Sequence, residues 1–133
     1  MKYMILLYGS QADYDAIAGR PDAHSSITAD DVAAMEKAMV AIHTELAESG
    51  ELVAAHGLSD PVHARRVQVR KGVPVTTDGP YAETEEVLAG LTIIDCGSLD
   101  RATEIAARFV NPDADGEYVD VRPIVGAFDD LTA

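Results

Sequence analysis

The sequence predicts an α+β fold in which two amphipathic helices pack on one face of a split βαβ sheet. Three observations carry this expectation. Apolar runs and helix-spaced stripes follow the order strand, long helix, strand pair, strand, helix, strand. The longer stripe is bracketed by a capping signal and a glycine stop. The 133 residues suffice for one core and leave no room for a second of normal size, so residues 1–133 are read as one domain.

Residues 2–8 are rich in aliphatic and aromatic side chains without helical spacing, and Gly9 stops them, as in a buried strand. Residues 10–27 contain the breakers Gly19 and Pro21 and form a connection longer than most. Tyr14 and Ile17 stand three apart, which suits a short helical turn. The segment is therefore read either as a structured surface insertion or as a lid. Thr28 followed by Asp31 caps the long helix, and Val32, Met35, Met39, Ile42 and Leu46 draw one apolar stripe until Ser49-Gly50 ends it. His43 lies beside that stripe, where a surface or boundary histidine is expected.

Residues 52–58 and 65–70 read as one strand interrupted by Ser59-Asp60-Pro61, and Lys71-Gly72 turns the chain into 73–77. Residues 87–95 are the next strand, with Gly90 marking a bulge or a close backbone approach. Ser98 caps a helix with Leu99, Ala102, Ile105, Ala106 and Phe109 on one face, and Asn111-Pro112 ends it. Residues 117–124 alternate as a half-buried final strand, Val119 and Val121 inward. With both helices on one sheet face and no third layer in the chain, the other face needs a cover, so a homodimer is expected.

Ten Lys and Arg against 23 Asp and Glu leave a formal net charge of -13, which repels nucleic acid and anionic membrane. Neither is expected as a partner. Arg65, Arg66, Arg70 and Lys71 cluster between positions 65 and 71 and read first as a solvated hairpin balancing nearby acids. Met4-Ile5-Leu6-Leu7-Tyr8 is too short to span a bilayer and lacks the flanks of a signal peptide, so a cytoplasmic location is expected. Cys96 is the only cysteine and is read as a small core residue.

The most specific text is Thr77-Asp78-Gly79-Pro80-Tyr81-Ala82-Glu83-Thr84-Glu85-Glu86. Glycine permits backbone angles that other residues avoid and proline fixes its own φ, so Asp78 is presented from a rigid bend at a strand end. On physics alone such an Asp is first a turn former and second a catalytic or recognising group.

These residues, together with Met1-Lys2-Tyr3-Met4, Ser49-Gly50-Glu51-Leu52, Ser98-Leu99-Asp100-Arg101-Ala102 and Val121-Arg122-Pro123, resemble the YCII-related proteins over almost the whole chain. Within them they resemble the branch named for an Asp-Gly-Pro-Phe signature. Tyr81 stands where that branch has Phe, and Glu85 where Lys is usual, a reversed charge beside the motif. The resemblance implies a ferredoxin-like βαββαβ subunit in a dimeric α/β barrel, with a cleft at the barrel mouth and a His and Asp pair in it. Asp78 is the carried-over acid, and Gly79, Pro80, Tyr81 and Glu83 are the ligand-binding candidates around it.

No histidine is carried over with Asp78. His56, in the strand expected beside the Asp78 hairpin, is the candidate catalytic partner, with His63 next and His24 able to approach from the long connection. No histidine pair has metal-ligand spacing, and phosphate loops, serine elbows and dinucleotide fingerprints are absent from the sequence, so neither metal nor cofactor is expected. Two classes remain. One is a cofactor-free enzyme of lyase or isomerase type on a small molecule, with Asp78 and a histidine as acid and base. The other is a non-catalytic dimeric module binding a small ligand or a protein, linked to transcription regulation.

Overall fold

Alternation places the first strand. In β1 (Lys2–Gly9), Tyr3 and Ile5 are buried beneath the helices, while the alternating Met4 and Leu6 take the opposite face. The structure, a computed structural model, describes residues 1–20, 28–79 and 86–128. After β1 follow α1 (Gln11–Ile17), α2 (Ala29–Ser49), β2 (Leu52–Gly57), a 3-10 turn (Pro61–His63), β3 (Arg65–Arg70), β4 (Val73–Asp78), β5 (Val87–Asp95), α3 (Leu99–Ala107) and β6 (Asp120–Pro123).

Four strands form an antiparallel sheet in the order β2-β5-β1-β6. This order, with α2 connecting β1 to β2 and α3 connecting β5 to β6, is compatible with a ferredoxin-like subunit. The core lies between sheet and helices: Tyr3, Ile5 and Ile94 from the sheet meet Ile42 and Leu46 of α2, Ala102, Ile105 and Ala106 of α3, and Cys96 and Phe109. Cys96 is buried, as a core residue should be. Val119 and Val121 pack against the same cluster, on the side the alternation assigned to them.

The starts of α2 and α3 are chemically fixed. The Thr28 hydroxyl accepts from the Asp31 N–H and the Asp31 carboxylate accepts from the Thr28 N–H, while Ser98 accepts from the Arg101 N–H. Gly50 ends α2 in the left-handed region at φ 80°. The stripe on α2 is not buried along its length: Leu46 is 1% exposed, whereas Met35 is 40% exposed. The first turns of α2 therefore run past the edge of the core. His43 is a boundary residue, as expected; its Nδ1 lies 2.7 Å from the Met39 carbonyl and its Nε2 3.1 Å from the Thr92 hydroxyl, with Phe109 edge-on to the ring.

Two expectations need correction. Residues 52–58 and 65–70 are not one interrupted strand: β2 pairs with β5, whereas β3, among the described residues, pairs with β4 in a separate two-stranded sheet. The 3-10 turn with Pro61 at its start redirects the chain between them, and a strand pattern cannot show to which sheet it will add. The final strand is also shorter than 117–124, pairing only over Asp120–Pro123. At Gly90 the close approach holds, since a Cβ there would lie 3.0 Å from the His56 carbonyl oxygen of β2.

Candidate functional site

The β3–β4 hairpin turns through Lys71 and Gly72, both at positive φ, and returns to Asp78 opposite Arg65. The next residue, Gly79, anchors the hairpin base. Its N–H donates to the Ala64 carbonyl at 2.9 Å, and a Cβ at this position would lie 2.0 Å from the Pro61 carbonyl oxygen. No side chain fits there without moving backbone, so the glycine is required by close approach. Asp78 is thereby held outward. Its side chain is 81% exposed and pairs with Arg65 across the strands at 3.5 Å.

The 3-10 turn that receives Gly79 is itself held by Asp60 and α1. Gln11 donates to the Asp60 carboxylate at 2.9 Å, and its carbonyl accepts from the Val62 N–H at 2.9 Å. Arg20 pairs with Asp15 and lies 3.5 Å from Asp60, and His63 Nε2 stands 3.4 Å from Asp60. The hydrogen bond from Gln11, then that from its own backbone N–H and the one from Arg20, hold the Asp60 carboxyl below its usual range, and Gln11 and Arg20 do so for Asp15. The Tyr14 hydroxyl reaches the Leu58 carbonyl at 2.8 Å, and burial pushes its pKa up. The Ser10 and Asp13 capping box starts α1. Residues 10–20 of the long connection are thus a structured insertion bound to the β2–β3 connection, and residues 21–27, with His24, lie outside the described residues.

Against this turn lies a pocket of about 350 Å³ lined by Leu58, Ser59, Pro61, Ala64, Val87 and Leu88. Its walls are mainly apolar, and it is a shallow hollow that stays half open to solvent. The pocket draws on both sides of the motif, since Ala64 holds Gly79 while Val87 and Leu88 open β5. Pro80, Tyr81, Glu83 and Glu85 lie outside the described residues.

His56 occupies a different place from Asp78. It is in β2, facing Leu91 of β5, which faces Leu6 of β1, which faces Asp120 of β6. Parity puts this row on the sheet face away from the helices, together with Met4 and Ile93. Asp78 ends β4 of the two-stranded sheet. Each of the two has local neighbours of its own: Leu91 across the strand for His56, and Arg65 for Asp78.

Sequence reasoning missed a cluster on the same open face. The Tyr8 hydroxyl donates to Asp120 at 2.6 Å, which raises the tyrosine pKa, and the Tyr8 and Tyr118 rings sit 5.4 Å apart. The charge of Glu86 raises the pKa of Tyr118. Alternation marked Tyr118 and Asp120 as outward, but the pairing of Tyr8 with Asp120 depends on β1 lying next to β6. Among the described residues, no group of three or more His, Cys, Asp and Glu is arranged to hold a metal ion, and no helix is long and apolar enough to cross a membrane.

Comparison with known proteins gives a family. An uncharacterized protein of Rhizobium meliloti is 33% identical over 84 residues, which cover 63% of this chain and 68% of that protein. The YCII-related domain matches residues 1–126, which include every element of both sheets, the Asp78-Gly79 bend and the pocket beside it. The chain belongs to the YCII-related domain family.

Proposed function

We propose that this chain is a cytoplasmic homodimeric module of the Asp-Gly-Pro-Phe branch that binds a small molecule at the Asp78-Gly79 bend. The observation that carries this reading is the clamp on Gly79: a backbone approach that excludes any Cβ fixes the bend, and the fixed bend presents an exposed Asp78 near an apolar pocket. A hollow supplying apolar area, with a carboxylate on the neighbouring bend, suits a ligand with an apolar body and a polar or cationic end. Gly79, Pro80, Tyr81 and Glu83 complete the proposed binding segment. The homodimer is supported by the open sheet face, where Met4, Leu6, Leu91 and Ile93 remain half-buried. The net charge of -13 supports a partner that is neither nucleic acid nor membrane.

The second reading is a cofactor-free lyase or isomerase with Asp78 and His56 as acid and base. One observation favours acid-base chemistry at this end of the molecule: His63 stands 3.4 Å from Asp60 on the turn that anchors Gly79. This makes His63 an alternative to His56 as the imidazole.

The test is the Asp78→Asn variant, which keeps the shape and the side-chain acceptor but removes the charge. A recognising role predicts that affinity for ligands selected from a small-molecule library falls about tenfold or more, while stability changes by about 1 kcal/mol or less. A variant that unfolds several degrees lower and binds every ligand as the parent does makes Asp78 architecture. Turnover of any library member by the parent, lost in the His56→Gln or His63→Gln variant, favours the enzyme.

A further inference from the structure

Helix α1 has seven residues and no buried side chain, yet two of its side chains hold backbone on both sides of the pocket. On one side, the Gln11 carbonyl accepts from the Val62 N–H at 2.9 Å, and its amide donates to Asp60 at 2.9 Å and to Asp15 at 3.0 Å. These bonds hold the 3-10 turn, where Pro61 and the following Ala64 line the pocket. On the other side, the Tyr14 hydroxyl lies 2.8 Å from the Leu58 carbonyl and 3.2 Å from the Ala89 carbonyl, so its one proton is shared between them. Ala89 is the extra residue of a β-bulge, because Leu7 and Tyr8 of β1 face Gly90 and Leu88 of β5 and skip it. The bulge sets the aim of Leu88 and Val87, which with Leu58 form the second wall.

We propose that Gln11 and Tyr14 are positioning residues of the pocket: each fixes one wall, so ligand affinity depends on α1 although α1 supplies none of the described lining residues. The inference rests on the ligand reading above and adds the element that shapes the site. The ladder between β2 and β5 ends at Gly57 and Gly90. Beyond that pair the two chains are joined by the Leu58 N–H to Ala89 carbonyl bond at 2.8 Å and by Tyr14, which bridges the same two residues. A half-open hollow keeps its shape only while both walls are in place, and any loss of the competent arrangement lowers the apparent affinity in proportion. The dependence runs both ways. A helix of seven residues is too short to be stable alone, so α1 owes its place to these contacts. A ligand that needs both walls therefore favours docked α1 as much as docked α1 favours the ligand.

The probe is benzylammonium, whose ring suits the apolar walls and whose charge suits Asp78 on the neighbouring bend. Backbone amide shifts give its dissociation constant for the parent and for the Gln11→Leu, Tyr14→Phe and Leu46→Ala variants. Each α1 variant is expected to raise the constant about fivefold or more. Leu46→Ala, which loosens the core on the helix side of the sheet, is expected to leave it unchanged. Hydrogen exchange then assigns the walls: Gln11→Leu speeds exchange at Gly79 and leaves Leu58 protected, and Tyr14→Phe does the reverse. Equal constants in the parent and both α1 variants overturn the positioning role and leave the ligand reading standing. An equal rise in Leu46→Ala also overturns it, because general loss of stability then suffices. A parent without shifts at Leu58, Ala64 and Leu88 overturns the ligand reading for this class of molecule. The exchange pattern then decides the positioning role by itself, and Gly79 and Leu58 amides as protected in both α1 variants as in the parent overturn it.

Discussion

Replacing Leu46 by alanine lowers the stability of the protein by about 3 kcal/mol, the cost of removing a buried leucine and leaving a cavity that its neighbours only partly fill. Leu46 is 1% exposed and sits in the cluster with Tyr3, Ile5, Ile94 and Ile105. For a chain of this length that loss corresponds to roughly 10 °C in melting temperature. Met35 lies on the same sequence stripe but is 40% exposed, so Met35→Ala costs under about 0.5 kcal/mol. Thermal unfolding of the two variants side by side checks both values. Equal losses would mean that the start of α2 is packed as deeply as its end.

Gly79→Ala is the second large effect. The added methyl would stand 2.0 Å from the Pro61 carbonyl oxygen, which is backbone and is held by the turn on which Asp60, Gln11 and Arg20 converge. Either the 3-10 turn or the hairpin base must move, at about 2 kcal/mol for overpacking, and the Gly79 N–H to Ala64 bond at the hairpin base is strained or lost. Hydrogen exchange reads this directly: the amide at position 79 becomes fast in the variant. Gly57→Ala, where an added Cβ meets nothing within 4 Å, is the control and leaves that amide protected. Undiminished protection in Gly79→Ala would contradict the clamp.

These contrasts also show what could be read from the sequence. Periodicity and caps located α2 and its stop at Gly50, because Thr28, Asp31 and the glycine act within a turn of one another. The bounds of β5 and the tight spot at Gly90 were legible for the same reason: both depend on residue types at their own positions. Helix α1 was visible only as a turn at Tyr14 and Ile17. It has seven residues and no buried side chain, and it is held by Ser10 at its start and by Tyr14 and Gln11 reaching residues far along the chain.

The detachment of β3 and β4 was not legible, since a strand's sequence does not name the sheet it joins. The candidate site divides in the same way. The bend at Asp78 and Gly79 could be found from its text, but the reason for the glycine lies in Pro61, and the Asp60 group that supports it joins α1 to the β2–β3 connection. The choice of His56 followed from taking β2 and β3 as one strand beside Asp78; with the two in separate sheets, that reason no longer applies.

The central claim is that a small molecule occupies the pocket beside the Asp78-Gly79 bend. Its most direct test is a backbone amide titration of the parent protein with the tightest ligand from the library. The account predicts that the largest shift changes fall on Leu58, Ser59, Ala64, Val87 and Leu88, which line the pocket, and on Gly79, whose N–H is bonded to Ala64. Shift changes confined to other parts of the chain, with those amides unmoved at saturation, would contradict it.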